Sequence, residues 1–154
     1  KSFNDSPKII AVNLEKQQIV STSIELSKNY QATYSLPKKY LYEPNASLLK
    51  SGGFEAVSEL FALDKLHQHS HLYTADEIKD FQGRRFEITK EIPFQKNDLK
   101  KYIQNQKMNV TTRNFPLKVE DIKKKYKISD GGTLFAFFTT NLKNEKIVLL
   151  CTKI

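Results

Sequence analysis

Thr133-Leu134-Phe135-Ala136-Phe137-Phe138-Thr139 and Lys146-Ile147-Val148-Leu149-Leu150-Cys151-Thr152 decide the fold. Both runs are short, apolar and rich in β-branched or aromatic residues. Between them, Asn141-Leu142-Lys143-Asn144-Glu145 is polar, so the pair reads as two strands at the centre of a sheet. Strands this apolar need cover on at least one face. Upstream, Val119, Ile122 and Tyr126 form the apolar stripe of a helix whose other positions include Lys118, Lys123, Lys124 and Lys125. Leu99, Tyr102 and Ile103 mark a second helix, with Asn97 as its expected N-cap. Met108–Arg113 reads as a strand, and so does Arg84–Ile92 after Gly83, with Phe86, Ile88 and Ile92 on one buried face. From Gly83 on, the order is strand, helix, strand, helix, strand, strand. The fold class is α+β.

Before this block the signals are weaker. Pro7–Leu14 and Gln18–Ile24 are β-branched runs flanking Glu15-Lys16-Gln17, which suggests a hairpin. Ser27–Lys39 reads as a linker and Tyr40–Pro44 as a short extended piece. Asn45 is placed to cap a helix that ends near Gly52-Gly53, and Phe54, Val57, Leu60 and Phe61 follow at helical spacing. His67–Tyr73 looks extended, which would point His67, His69 and His71 to one face.

The length of 154 residues suits one ordinary domain or two small ones. With 39% hydrophobic and 27% charged residues, the chain can bury a core. No apolar run reaches the roughly 18 residues of a membrane helix. Cys151 is the single cysteine, so no disulfide framework exists, and a cytoplasmic setting is expected. The chain starts at Lys1 with no signal-peptide pattern, consistent with a processed product or a piece of a longer chain.

Charge is the sharper clue. The net +8 is unevenly placed. Residues 1–77 hold eight basic and nine acidic side chains, a net −1, whereas residues 78–154 hold seventeen and eight, a net +9. Between Lys96 and Ile128, ten basic residues meet three acidic ones. Such density is the footprint of a polyanion-binding face. The candidate contacts are Arg84, Arg85, Lys100, Lys101, Arg113, Asn114, Phe115, Lys118, Lys123, Lys124, Lys125 and Lys127, which could share one surface. Phosphate contact with occasional aromatic stacking is how structured or single-stranded RNA is held. Tyr102 and Tyr126 fall on apolar stripes and read as core, while Phe115 sits in a turn and is the better candidate for exposure. The competing explanation is a solvated helix face, because the chain has 22 lysines and only three arginines.

Other chemistry finds no support. Three alternating histidines could hold zinc or copper, but no cysteine or carboxylate cluster completes a site. Cys151 lies in an apolar strand and reads as a buried thiol. Asp76-Glu77 and Glu120-Asp121 suit the starts of helices, where they favour the dipole. Gly52-Gly53 and Gly131-Gly132 match neither nucleotide-loop pattern. No catalytic residue or metal site is expected in this chain.

Two blocks carry a family resemblance. Tyr40-Leu41-Tyr42-Glu43-Pro44-Asn45-Ala46-Ser47-Leu48-Leu49-Lys50-Ser51-Gly52-Gly53-Phe54, followed by His71-Leu72-Tyr73-Thr74, resembles the ferredoxin-like segment of a class I SAM-dependent methyltransferase family found notably in Bacteroidetes. Gly83–Glu87, Asn109–Leu117 and Asp130-Gly131-Gly132 resemble the THUMP-like domain that ends the same proteins. The resemblance covers Pro37 to the C-terminus and implies three parts: 1–36, a hairpin and linker; 37–79, ferredoxin-like; and 80–154, THUMP-like. It implies that a catalytic domain holding S-adenosylmethionine lies upstream, and that this chain captures RNA, such as tRNA, for it. The alternative is a structural or partner-docking module that packs on the catalytic domain or mediates dimerisation.

Overall fold

The computed structural model describes residues 7–15 and 18–154. A hairpin comes first, β1 (Lys8–Glu15) with β2 (Gln18–Glu25), as its β-branched runs predict. Its connecting residues Lys16 and Gln17 lie outside the described residues. Residues 27–39 are irregular except for β3 (Thr33–Tyr34), a two-residue edge strand. Then come β4 (Tyr40–Pro44), α1 (Ala46–Ser51), α2 (Phe54–Phe61), β5 (Asp64–His67) and β6 (Ser70–Ala75). The remainder is β7 (Gly83–Pro93), α3 (Lys96–Tyr102), β8 (Asn109–Arg113), α4 (Val119–Tyr126), β9 (Leu134–Thr140) and β10 (Lys146–Lys153). The strand–helix alternation expected of the second half is present, and the fold is α+β.

All strands but the hairpin form one mixed sheet, ordered β3-β5-β6-β4-β7-β10-β9-β8. The pairs β3–β5 and β8–β9 are parallel and the others antiparallel. The antiparallel β4–β7 pair carries the sheet straight across from the first half into the second.

Three cores follow from the alternation of side chains across this sheet. One face of β7–β10 packs Ile92, Val148, Leu150, Ala136 and Phe138 under Leu99 and Ile103 of the α3 region and Ile122 of α4. On the first half, Tyr40, Tyr42 and Tyr73 pack under Leu48 and Val57 of α1 and α2. The third core holds Leu41, Leu66, Leu72, Phe86, Phe137, Ile147, Leu149 and Cys151, and every member comes from a strand. No helix among the described residues contributes to it. The sheet covers this face itself by curling, so that β6 touches β8 although the two stand far apart in the strand order. The result is a partly closed barrel whose interior draws on both halves.

Four local expectations are corrected. Phe86, Ile88 and Ile92 do not share one face, because consecutive β10 residues Cys151 and Leu150 pair with Ile88 and Lys90. Thr89 is the extra residue of a bulge, which reverses the strand's faces and sends Ile92 to the helix-covered core. Asn97 is not the cap of α3: Gln95 is, and Asn97 lies inside the first turn. Residues 76–82 begin no helix. Leu60 of α2 stays exposed, its helix burying Ala56, Val57 and Ser58 instead. The expected Asn45 cap is present, its side-chain oxygen accepting from Leu48 N at 3.1 Å, and Gly52 ends α1 with φ 72°.

Candidate nucleic-acid interface

The basic candidates divide between opposite faces of the sheet. Lys100 and Lys101 ride on α3, while Lys123, Lys124 and Lys125 ride on α4, with Lys118 and Lys127 at its ends. Each helix buries one narrow apolar stripe, so the remaining positions face water. In α4 the charges are ordered along the axis: Glu120 and Asp121 in the first turn, Lys123–Lys125 in the last. That order favours the helix dipole, and it also gathers cations at one end. Lys123 is tied to Asp130 at 2.8 Å. Among the described residues, Lys100, Lys118, Lys124 and Lys127 are exposed and meet no carboxylate at ion-pair distance.

Between α3 and α4 runs a groove of about 440 Å³, lined by Phe94, Leu99 and Tyr126 with Lys96, Lys100 and Lys125 at its rim. Tyr102 and Tyr126 pack half-buried against the core below, as their stripe positions predict. Lysines lie over both rings, Lys90 at 4.4 Å and Lys101 at 5.1 Å from the Tyr102 centroid, and Lys125 at 5.6 Å from that of Tyr126. Hydrogen bonding from Lys101, and then from Lys90, lowers the Tyr102 phenol below its usual value. Lys96, which opens the basic 96–128 stretch without being among the candidate contacts, and Lys90, which lies before it, thus join this face.

The arginines do something else. Glu43 is buried on β4 and faces the barrel interior, where its carboxylate holds Arg84 of β7 (Nε at 2.8 Å) and Arg113 of β8 (Nη2 at 2.8 Å). The arginine side chains are 38% and 37% exposed against 7% for Glu43, so each guanidinium reaches solvent at the barrel mouth with its charge already partnered. Arg84 also lies over the rings of Phe86 and Phe135. Arg85, on the other face, donates to Lys79 O at 3.0 Å. No sequence signal marks Glu43, because its two partners arrive from 41 and 70 residues away.

Asn114 stays exposed but its side chain is already engaged, and Phe115 turns partly inward. Asn114 takes a left-handed φ of 54°, tolerable for asparagine, and its amide donates to Ser70 Oγ at 3.2 Å and to His67 Nδ1 at 3.3 Å. Phe115 is half-buried against the edges of Phe94 and Phe138, with centroids at 5.0 and 5.6 Å. Its turn position is real, but the turn folds the ring inward.

The histidines do not share a face. His67 ends β5, His69 lies in the turn, and His71 is on β6. His67 Nδ1 accepts from the His69 amide at 3.0 Å and its Nε2 meets Asn144 Oδ1 at 2.7 Å, so both ring nitrogens have partners. His71 stacks on Phe54 at 3.5 Å; burial, then the Lys65 ammonium, hold its pKa below the ordinary value. No metal-binding group of three side chains exists among the described residues. Cys151 is buried and its thiol is pushed up to about 12, which keeps it unreactive. Gly52-Gly53 joins α1 to α2 and Gly131-Gly132 precedes β9, so neither forms a strand–glycine loop–helix cradle for S-adenosylmethionine. Among the described residues no helix is long and apolar enough to cross a membrane.

A mixed sheet with helices over one face, an acidic clamp inside and lysines outside is a two-part α+β architecture, and the comparisons divide it at the β4–β7 junction. Residues 40–81 match the family model described as a ferredoxin-like domain, and residues 83–153 match the one described as THUMP domain-like. A solved structure resembles the chain as a whole: that of a candidate methyltransferase from Porphyromonas gingivalis W83, with TM-score 0.84 and 34% identity over 95% of this chain. The chain spans 38% of that protein's length. No curated protein matches the chain.

Proposed function

We propose that this chain is the RNA-holding portion of a SAM-dependent methyltransferase whose substrate is a structured RNA such as tRNA. The exposed lysine face of α3 and α4, set on the THUMP-like half alone, is the observation that carries the reading. Lys100, Lys101, Lys118, Lys124, Lys125 and Lys127 contact phosphates, and the apolar groove between the helices gives a base or ribose a place to rest. Arg84 and Arg113 contribute at most from the edge, since Glu43 already meets their charge. Methyl transfer and S-adenosylmethionine belong to a part of the enzyme outside these residues. The likeness to a longer candidate methyltransferase supports that division.

Binding of a labelled tRNA to the 154-residue chain, measured across rising salt, tests this. Log affinity is expected to fall linearly with log salt, because phosphate contacts release counterions. Lys100→Glu combined with Lys124→Glu should lower the slope by about one unit per lysine removed. Lys143→Glu, in the β9–β10 loop, should leave it unchanged. No binding at low salt, or binding indifferent to salt, defeats the proposal.

A further inference from the structure

The hairpin has two unlike faces. Its inward face packs Ala11 and Ile24 toward α1, and Ile24 Cδ1 lies so close to Gly53 that a β-carbon there would stand 2.6 Å away. Gln82 fastens it, donating from Nε2 to Ala11 O at 3.1 Å and accepting from the Thr22 hydroxyl. The Tyr30 hydroxyl accepts from the Glu25 amide at 3.0 Å. The hairpin is therefore a fixed part of the fold and not a loose arm.

Its outward face is the anomaly. The register sets Ile10 beside Ser23, Val12 beside Ser21 and Leu14 beside Ile19. Ile10, Val12, Leu14 and Ile19 are 59%, 50%, 69% and 78% exposed. A two-stranded sheet covered on one side normally turns polar side chains to water on the other. Here four aliphatic residues and two serines face out in these three pairs, and the face's charged pair, Lys8 with Glu25, lies at the open end of the hairpin.

We infer that this face docks against the larger, catalytic part of a longer methyltransferase chain, through an uncharged apolar patch on that part. The inference rests on the reading of this chain as one portion of such an enzyme, but not on RNA. Two observations choose the occupant. The candidate methyltransferase from P. gingivalis matches so much of this chain that the unmatched remainder is shorter than the hairpin, and most of that relative's length lies outside the match. The face is also small. Two eight-residue strands span about 27 Å by about 10 Å, or about 270 Å². A stable pair of separate molecules buries about 800 Å² on each partner. A patch of this size does not hold two copies together, yet it suffices for a domain on the same polypeptide, where the effective concentration is of millimolar order.

The test uses the complete product of the reading frame that encodes this chain, beside the 154-residue chain itself. Val12→Cys places a thiol on the face, and Lys143→Cys in the exposed β9–β10 loop serves as control; both sites are exposed, so folding is preserved. Maleimide labelling is followed by mass spectrometry of the peptide that carries each thiol. In the 154-residue chain both thiols should react rapidly. In the complete product Cys at position 12 should react about tenfold slower or more, the control being unaltered. Equal rates at position 12 in both proteins would overturn the docking. Protection in the 154-residue chain that disappears on dilution would assign the face to a second copy, overturning it too. A reading frame with no methyltransferase region would remove the reading on which the inference rests. That outcome is separable from the others, because tRNA binding by the same chain is measured independently.

Discussion

The two halves share one sheet and solve opposite problems. The THUMP-like half covers one face of its sheet with two helices over an almost wholly apolar core, and keeps the lysines of those helices outside. The ferredoxin-like half buries polarity. Tyr42 and Tyr73 sit in its core with hydroxyls donated to Glu77 O at 2.6 Å and Phe54 O at 2.8 Å, and Lys65 is buried with its ammonium on Gln68 O at 3.0 Å. Buried polar groups of this kind persist only when satisfied, and they tie loops to the sheet. One half thus spends its polar residues inside, holding its own loops, while the other turns its lysines to solvent.

How separate the halves are is open to direct attack. The barrel core draws Leu41, Leu66 and Leu72 from one and Phe86, Phe137 and Leu149 from the other. Phe86→Ala should therefore destabilise the whole chain by about 3–5 kcal/mol, with a single denaturant transition by circular dichroism. Two transitions, only one of them shifted, would mean that the halves unfold independently.

A smaller effect is expected at the clamp. Glu43→Gln removes the carboxylate that joins β4 to β7 and β8, and should cost about 2 kcal/mol in chemical denaturation. The loss stays below that of a fully buried pair because both arginines reach solvent. The same variant frees two guanidinium groups, so tRNA affinity should rise or hold while stability falls. That opposition would distinguish a structural clamp from a binding residue.

Smaller again is the cap of α1, which lies wholly in the first half. Asn45→Ala leaves Leu48 N unpaired and should cost about 1 kcal/mol in thermal or denaturant unfolding, with RNA binding unaltered. Least of all is a pH effect confined to the same half. His71 has a depressed pKa when folded, so as pH falls through about 6.5 the unfolded chain takes up a proton that the native ring resists. Stability contributed by the neutral ring is complete above that pH and declines below it. His71→Gln should flatten the slope of stability between pH 7 and 5, measured by denaturant midpoints.

Legibility in the sequence followed the range of the interactions. The Asn45 cap, the helical stripes at Leu99 and Ile122, the hairpin and the buried Cys151 depend on neighbours within a few residues, and all were readable. The bulge at Thr89 was not, since the partner strand sets where an extra residue falls. The single basic surface failed for a similar reason. Alternation on β7 and β8 turns Arg84 and Arg113 into the barrel, while the lysines on α3 and α4 cover the other face. Phe115 looked exposed because turns usually are, but the chain after Asn114 reverses and seats the ring between Phe94 and Phe138.

By itself the sequence determined the α+β class, the element order of the second half and the segregation of charge, because composition and periodicity are local properties of the chain. Only the tertiary structure decided which cations are available. Glu43 meets Arg84 and Arg113 across large separations in sequence, and the curl of the sheet brings them together. It also decided that the hairpin leaves an aliphatic face exposed, since which side of a strand is covered depends on what packs against the other.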